Sequence, residues 1–328
     1  MPLRQLVPDP AVGSSTSDVK VDIIAVHGLN PRSKDAAAHA WDTWRTPPGP
    51  KGHLWLRENL PSVVPHSRIF LYQYNATAVY GKDQSTFVDK ADELLEAIRV
   101  KRVRAESRPI IFLCHSMGGL LVKQALINAH SNPKYTSIKT ATSGLVFFAT
   151  PHNGGDWKLV TLGTLASKIA TTAGFQKGDD VVEVLKSGSM FSAIMNEHWR
   201  HQLLEYDIVS FWGALDTVSL AIRGTKYWVY TDFQKIVPKE SARLGMPGDR
   251  ENVVKLNADH RGVCKFGSSE TDQDNLELVC ANIENLFQSA LKRGEFLALP
   301  SVVDEGEGKK TPEDCLLERW ARLQGNRV

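Results

Sequence analysis

The sequence predicts an α/β fold in which helices cover both faces of a mostly parallel sheet, with a small helical cap inserted between two of the later strands. Short apolar runs alternate with helical patterns along the chain. Most of these runs are apolar throughout, which is typical of strands that are buried on both faces. Consecutive strands that are connected through helices run parallel. The 328 residues suffice for one large domain with a sizeable core.

The predicted strands are short apolar runs followed by turns or loops. They are VDIIAV (Val21–Val26), RIFLYQY (Arg68–Tyr74), IIFLC (Ile110–Cys114), GLVFFAT (Gly144–Thr150), YDIVSFW (Tyr206–Trp212) and the weaker FQKIV (Phe233–Val237). A helix that is apolar on most sides, GLLVKQALINAH, follows the third strand and is expected to lie deep in the fold. A final helix carries an apolar stripe from Leu276 to Ala290.

Composition divides the chain into three parts. Residues 1–18 are rich in Pro, Ser and Gly and predict a disordered leader. Residues 19–291 contain all the predicted strands, and residues 292–328 form a polar tail with a short helix. Residues 156–205 lie between the fourth and fifth strands and predict the helical cap. Their helices either pack on the sheet or form a mobile lid over a substrate pocket.

Charge and cysteine content exclude several classes of protein. The formal net charge is only +2, whereas a nucleic-acid-binding protein needs a concentrated basic face. The four cysteines form no CxxC pair, so we expect neither a disulfide scaffold nor a zinc site. No phosphate-binding loop occurs, and we expect no cofactor. We expect a cytoplasmic, reducing location, while a mitochondrial or membrane-associated location and peripheral membrane contact stay open. The sequence does not indicate a protein partner.

A candidate nucleophile lies directly after the third strand, in Cys114-His115-Ser116-Met117-Gly118-Gly119. The pattern is close to G-x-S-x-G, the nucleophile elbow, in which a tight strand-to-helix turn exposes a strained serine at the end of the strand. The following helix directs its free N–H groups toward the site, which suits a developing oxyanion. The alternative is an ordinary turn in which Ser116 caps the helix.

The loop after the first strand, His27-Gly28-Leu29, is the candidate for the oxyanion side of the site. Where a serine lies on such a turn, one oxyanion donor is the N–H group after the serine and the other comes from a neighbouring loop. The backbone N–H groups of Leu29 and Met117 are therefore predicted donors. His27 is expected to be a structural hydrogen-bonding residue rather than the catalytic base.

The base and the acid are expected to follow the serine along the chain, acid first and histidine last. His260 lies just before the final helix and is the predicted base. Asp216 follows the fifth strand and is the predicted acid, which would orient the imidazole. Loop aspartates are also common turn residues. The alternative acids are Glu205, Asp207, Asp232 and Glu240.

Six segments of the chain resemble the lipase-like serine esterases, which include the GPI inositol-deacylases and the serine-active-site-containing proteins of lipid remodelling. They are VHGLNP, WLRENLP, FLCHSMGGLLVKQAL, GLVFFATPHNGG, PKESARLG and ADHRGVCKF. The resemblance covers residues 21–291 and is closest to a fungal branch in which such a domain often precedes a NACHT domain. It implies the α/β-hydrolase fold and a triad of serine, acid and histidine, carried onto Ser116 and His260. Many relatives have a glutamate directly after the fifth strand, where this chain has Gly213.

These observations predict a serine hydrolase that cleaves carboxylic esters, specifically small-molecule or lipid esters with a lipid-like acyl group. The alternative is a weak or inactive hydrolase-fold module that senses or binds, as in multidomain NACHT-type proteins. The side chains that we expect to line the substrate pocket are His27, His115, His152, Leu162, Leu165 and Trp228.

Overall fold

A computed structural model describes most of the chain between residues 2 and 297. The described residues are 2–10, 18–29, 35–77, 84–152, 159–176, 178–188, 191, 194, 197–223, 228–234 and 236–297.

One large sheet forms the centre of the described part of the chain. Its strands, in chain order, are β1 (Leu3–Val7), β2 (Val21–Val26), β5 (Ser67–Tyr72), β6 (Ile110–His115), β7 (Thr142–Phe148), β8 (Asp207–Gly213) and β11 (Glu251–Leu256). Their order across the sheet is β1-β5-β2-β6-β7-β8-β11. Only the edge strand β1 pairs antiparallel within this sheet, and the others pair parallel. The predicted, mostly parallel α/β sheet is therefore confirmed.

Two short antiparallel pairs lie outside this sheet, in the described residues. They are β3 (Arg45–Thr46) with β4 (His53–Leu54), and β9 (Thr217–Arg223) with β10 (Trp228–Gln234). The helices are α1 (Ala36–Asp42), α2 (Trp55–Glu58), α3 (Leu60–Val63), α4 (Gln84–Lys101), α5 (Gly118–Ser131), α6 (Thr136–Ala141), α7 (Leu159–Thr172), α8 (Asp180–Ser187), α9 (Glu197–Gln202), α10 (Lys239–Ala242) and α11 (Glu270–Leu297). Short 3-10 turns lie at Pro133–Tyr135 and Leu203–Glu205.

Side chains of the central strands alternate between two separate hydrophobic clusters, one on each face of the sheet. In β2, Ile24 and Val26 belong to the cluster that α4, α5 and the cap helices cover. Ile23 and Ala25 belong to the cluster that α2 and α11 cover. Because both faces are buried, the central strands carry no polar alternation, as the sequence predicted.

The strand order reverses beside β2, and this reversal positions the candidate site. β5 lies on one side of β2 and β6 on the other, so the chain crosses β2 between these two strands. In open parallel sheets, ligands bind at the carboxyl ends of the strands where such a reversal occurs. Residues 27–29 follow the carboxyl end of β2, and Ser116 follows that of β6. The topology therefore places the two predicted halves of the site side by side.

The amino-terminal half of β2 carries a buried ionic cluster. The Asp22 carboxylate is fully buried and accepts hydrogen bonds from Arg68, at 2.7 Å from Nε, and from Arg102. Arg108 lies 3.4 Å from the same carboxylate. Burial lowers the pKa of the Arg102 guanidinium, and the Asp22 charge opposes that shift. Buried charges of this kind depend on their partners, because an unpaired one is costly.

The structure differs from the sequence prediction at three segments. Leu3–Val7, predicted to be part of a disordered leader, forms the edge strand β1. FQKIV was predicted as the sixth strand of the sheet, but Phe233 and Gln234 end the separate strand β10. The last strand of the sheet is instead Glu251–Leu256. This edge strand exposes Asn252 and Lys255, so it lacks the continuous apolar run by which the other strands were identified.

Candidate active site

Ser116 occupies a strained turn between β6 and α5. Its φ angle is +53°, in the left-handed region that side chains other than glycine rarely adopt. The Ser116 N–H donates to the Phe148 carbonyl at 2.8 Å, which ties the turn to the end of β7. The residue is 2% exposed. This is the backbone conformation that the elbow pattern predicts for a serine nucleophile.

Two glycines allow the loop after β2 to touch this turn. A methyl group on Gly28 would lie 2.9 Å from both the His115 carbonyl oxygen and the Ser116 Cβ atom. A methyl group on Gly118 would lie 2.3 Å from the His27 carbonyl oxygen. Both distances are too short for a carbon atom to fit without movement of the backbone. The loop and the elbow are therefore in direct backbone contact, which requires these glycines.

The His260 side chain reaches Ser116 from the loop between β11 and α11. The Ser116 Oγ atom lies 3.0 Å from the His260 Nε2 atom, within hydrogen-bonding distance. Burial lowers the pKa of His260 well below its ordinary value, and the neighbouring His115 and Arg261 lower it further. The imidazole is therefore neutral at neutral pH and able to accept the serine proton.

The backbone of His260 is held on both sides. The His115 Nε2 atom lies 3.0 Å from the His260 carbonyl oxygen, so its N–H group can donate to that oxygen. The His260 N–H donates to the Thr217 hydroxyl oxygen at 3.3 Å. The second ring nitrogen of His260, Nδ1, is buried and has no hydrogen-bond partner among the described residues.

Asp216, the predicted acid, is exposed in the loop between β8 and β9 and makes no hydrogen bond to His260. Among the alternatives, Glu205 forms an ion pair with Lys139 at 3.0 Å. Asp207 accepts a hydrogen bond from the Ser289 hydroxyl at 2.6 Å. Glu240 is exposed in the first turn of α10, and the Asp232 side chain lies outside the described part of the chain. The structure thus brings the predicted nucleophile and base together, and none of the predicted acids whose side chains are described reaches them.

A cavity of about 100 Å³ opens beside Ser116 and His260. Its apolar wall comes from the loop after β2, from α7 and from the segment before α10: Leu29, Ile169, Ala173 and Ile236. Its polar wall consists of His39, Thr43, His115, Thr172, Arg261 and Lys265. The Arg261 guanidinium donates to the Thr172 carbonyl, which links the loop of His260 to the end of α7.

Of the predicted pocket side chains, only His115 lines this cavity in the described structure. His27 is buried, stacks on Tyr74 with ring centroids 4.3 Å apart, and has its pKa lowered by burial to about 4. Leu162 is buried in the core, Leu165 is half-buried, and neither contributes to the cavity wall. The Trp228 side chain lies outside the described residues.

His152, the remaining pocket candidate, instead forms a buried pair with Lys123 of α5, the helix that follows Ser116. The Lys123 Nζ atom lies 2.7 Å from the His152 Nδ1 atom. Burial lowers the pKa of Lys123 to about 7. Sequence analysis missed this lysine, although a single cation in the otherwise apolar stretch GLLVKQAL was a signal that it is buried.

The sheet, the left-handed serine after β6 and the histidine after the last strand define the chain as a protein of the α/β-hydrolase fold. The comparisons with known proteins agree with the resemblance seen in the sequence. The chain is similar to Protein SERAC1 of Danio rerio, with 25% identity over 276 residues, which cover 77% of this chain and 37% of that protein. It is 26% identical to Protein SERAC1 of Homo sapiens over 158 residues, which cover 43% of this chain and 23% of that protein. The chain thus spans only about a third of the length of these curated relatives, or less.

Solved structures that are similar to the chain include three hydrolases. A carboxyl esterase from Bacillus coagulans gives a TM-score of 0.48 at 12% identity, covering 84% of this chain and 91% of that one. The monoacylglycerol lipase of Paleococcus ferrophilus gives a TM-score of 0.43 at 12% identity, covering 81% of this chain and 94% of that one. Lipase BlEst2 of Bacillus licheniformis gives a TM-score of 0.43 at 17% identity, covering 86% of this chain and 97% of that one. No protein-family model matches the chain.

The described helices are each too short or too polar to cross a membrane.

Proposed function

We propose that the chain is a serine hydrolase that cleaves carboxylic esters with a lipid-like acyl group. The observation that carries this proposal is the 3.0 Å distance between the Ser116 Oγ atom and the His260 Nε2 atom, at a serine with left-handed backbone. A serine hydroxyl becomes a strong nucleophile when a neutral imidazole lies within hydrogen-bonding reach of its proton. The low pKa of His260 keeps the imidazole neutral.

In the proposed reaction, the Ser116 oxygen attacks the ester carbonyl carbon while His260 takes the serine proton. The carbonyl oxygen becomes an oxyanion, to which the backbone N–H groups of Leu29 and Met117 donate. The tetrahedral intermediate then expels the alcohol, which receives its proton from His260. Water deprotonated by His260 hydrolyses the acyl-enzyme and regenerates the serine.

The apolar wall of the cavity supports an acyl substrate. Leu29, Ile169, Ala173 and Ile236 offer apolar surface beside the nucleophile. Each CH₂ group that is buried against such surface contributes about 0.8 kcal/mol to binding. We therefore expect kcat/KM to rise from acetate to medium-chain esters until the chain outgrows the cavity.

The proposal is tested by reaction with a fluorophosphonate probe and by hydrolysis of p-nitrophenyl esters of increasing chain length. Ser116→Ala should lose both activities while it stays folded, and Ser131→Ala, an exposed serine at the end of α5, should keep both. Loss of the nucleophile from a serine hydrolase costs several orders of magnitude in kcat. If the wild type hydrolyses these esters and Ser116→Ala is as active, the assignment is wrong.

The second candidate function is a hydrolase-fold module that binds a ligand or a protein without turnover. It is favoured by the Nδ1 atom of His260, which has no hydrogen-bond partner among the described residues, and by the exposed position of Asp216. A folded wild-type protein that neither reacts with the probe nor hydrolyses any of the esters would select this candidate.

A further inference from the structure

We propose that Arg261 determines how long an acyl chain the cavity accepts, because it holds the carboxyl end of α7 against the loop that carries His260. Residues 257–266 form this loop, here named the base loop. The inference rests on the proposed function and deepens it, since it concerns the acyl side of the same site. It assigns to Arg261 the role of a specificity-determining residue.

The cavity beside Ser116 is small for an acyl chain of medium length. Its volume is about 100 Å³. Pockets that bury most of a drug-sized ligand usually measure about 300–1,000 Å³. An acyl chain of more than a few carbons therefore enters only if part of the cavity wall moves. The wall includes the loop after β2, the base loop and the carboxyl end of α7.

The first two of these parts are held by close backbone contacts. The loop after β2 touches the elbow at Gly28, where a methyl group would collide with the elbow backbone. The base loop packs against β8 at Gly213, where a methyl group would lie 2.6 Å from the Ala258 carbonyl oxygen. The buried Trp55 indole N–H also donates to the Cys264 carbonyl of the base loop at 3.0 Å. Neither part can move without disturbing the nucleophile or the base.

The carboxyl end of α7 is tied to the base loop by Arg261. The wall residues that this end contributes, Ile169, Thr172 and Ala173, lie in its last turn or directly after it. The chain leaves the helix at Gly174, whose φ angle of +93° is one that glycine adopts readily. The last carbonyl groups of a helix have no partner within the helix. The Arg261 guanidinium donates to one of them, the Thr172 carbonyl.

The bond from Arg261 is of a kind that opens readily. A cation at the carboxyl end of a helix is favourable, because the helix dipole places partial negative charge there. Arg261 is exposed, so water screens its charge and competes for the carbonyl. Such a contact favours the closed position of the last turn of α7 by only about two- to fivefold. A short acyl chain fits the closed cavity, whereas a longer one has to break this bond.

The test compares the chain-length profile of ester hydrolysis in the wild type, Arg261→Met and Arg261→Lys. Methionine removes the donor, and lysine keeps a charged one. We expect the ratio of kcat/KM for p-nitrophenyl decanoate to that for the butyrate to rise about two- to fivefold in Arg261→Met, and less in Arg261→Lys. The ratio cancels effects on the base, because both esters react with the same Ser116 and His260. Arg250→Met, the control, removes a surface arginine beside Asp249 and should leave the ratio unchanged.

Amide hydrogen exchange tests the contact itself, even if the wild type hydrolyses nothing. The amides of residues 169–175 should exchange about two- to fivefold faster in Arg261→Met than in the wild type, while those of α5 keep their rate. In an inactive protein, the binding of neutral 1-alkanols of four to ten carbons, measured by NMR, replaces hydrolysis as the probe of cavity length. The preference for the longer alkanol should rise by the same factor. Arg261→Ala serves if Arg261→Met does not fold.

The inference is overturned if folded Arg261→Met has an unchanged or lower preference for the longer chain, or unchanged exchange at residues 169–175. An equal loss of activity with every ester has the same meaning, because Arg261 would then act on the substrate or the base and not on the length of the cavity. An inactive wild type, in which exchange and alkanol preference change as expected, overturns the proposed function alone.

Discussion

Gly28→Ala is the substitution whose effect the structure specifies most closely. The added methyl carbon would lie 2.9 Å from the His115 carbonyl oxygen, 2.9 Å from the Ser116 Cβ atom and 3.2 Å from the Met117 nitrogen. Comfortable contacts between such atoms are about 3.5 Å or longer. The loop after β2 and the elbow must therefore separate by about half an ångström, since the contacting atoms include backbone that cannot rotate away.

That displacement acts on the nucleophile and on both proposed oxyanion donors at once. Misplacement of catalytic groups by about 1 Å can cost a hundredfold in rate, so we expect kcat/KM to fall by about ten- to a hundredfold. Overpacking of this kind also lowers the free energy of unfolding by about 1–3 kcal/mol. A chain that folds but turns over slowly is therefore the expected result.

The assay is hydrolysis of a short p-nitrophenyl ester, with the rate of fluorophosphonate labelling and a urea unfolding curve measured on the same samples. Gly248→Ala is the matched control, because a methyl group there would have no atom within 4 Å. A folded Gly28→Ala protein with the wild-type rate would refute the reasoning, because the loop after β2 would then tolerate displacement from the elbow without consequence for catalysis.

Four further predictions follow from described contacts. His260→Ala should lower kcat by several orders of magnitude and His130→Ala, an exposed histidine, should not; equal losses in the two would remove His260 from the mechanism. Asp216→Asn should change kcat by less than about threefold, since its carboxylate is exposed and makes no contact with the base, whereas a loss near 10⁴-fold would identify it as the acid. Asp22→Asn should lower the free energy of unfolding in urea by about 3–5 kcal/mol, because it leaves buried arginines without their counter-charge; a loss below 1 kcal/mol would contradict this role. The free energy of unfolding should rise from pH 7 to pH 10 more steeply in the wild type than in Lys123→Met. The reason is that the unfolded lysine, with a pKa of 10.5, holds its proton over the range in which the folded lysine, with a pKa of about 7, has lost it. Equal slopes would show that Lys123 is not buried in its neutral form.

Local sequence patterns were sufficient to predict most strands of the fold. The strands at Val21, Ile110 and Thr142 are buried on both faces, so apolar character alone identified them. The edge strand at Glu251 shows why the rest was harder to predict. Two of its six residues are exposed and two more are half-buried, and its place in the sheet is decided by pairing with β8. The edge strand at Leu3 depends in the same way on pairing with β5.

The candidate site likewise contains residues that a local sequence pattern identified and residues that it could not identify. Ser116 could be found because an elbow imposes small residues two positions before and after the serine, here Cys114 and Gly118, and His260 because its loop precedes the final helix. The contact of His115 with the backbone of His260 spans 145 positions of sequence and leaves no local pattern. The acid could not be found by position, because a carboxylate serves the base only if its side chain points inward, and Asp216 is exposed.

The close packing of backbone around Gly213 restricts which substitutions the chain can accept during evolution. In the described structure, a single substitution at residue 213 would force a side chain into the backbone at Ala258, 2.6 Å away, and displace the loop that holds the base. A glutamate at residue 213 would therefore fit only if the loop that carries His260 changed first.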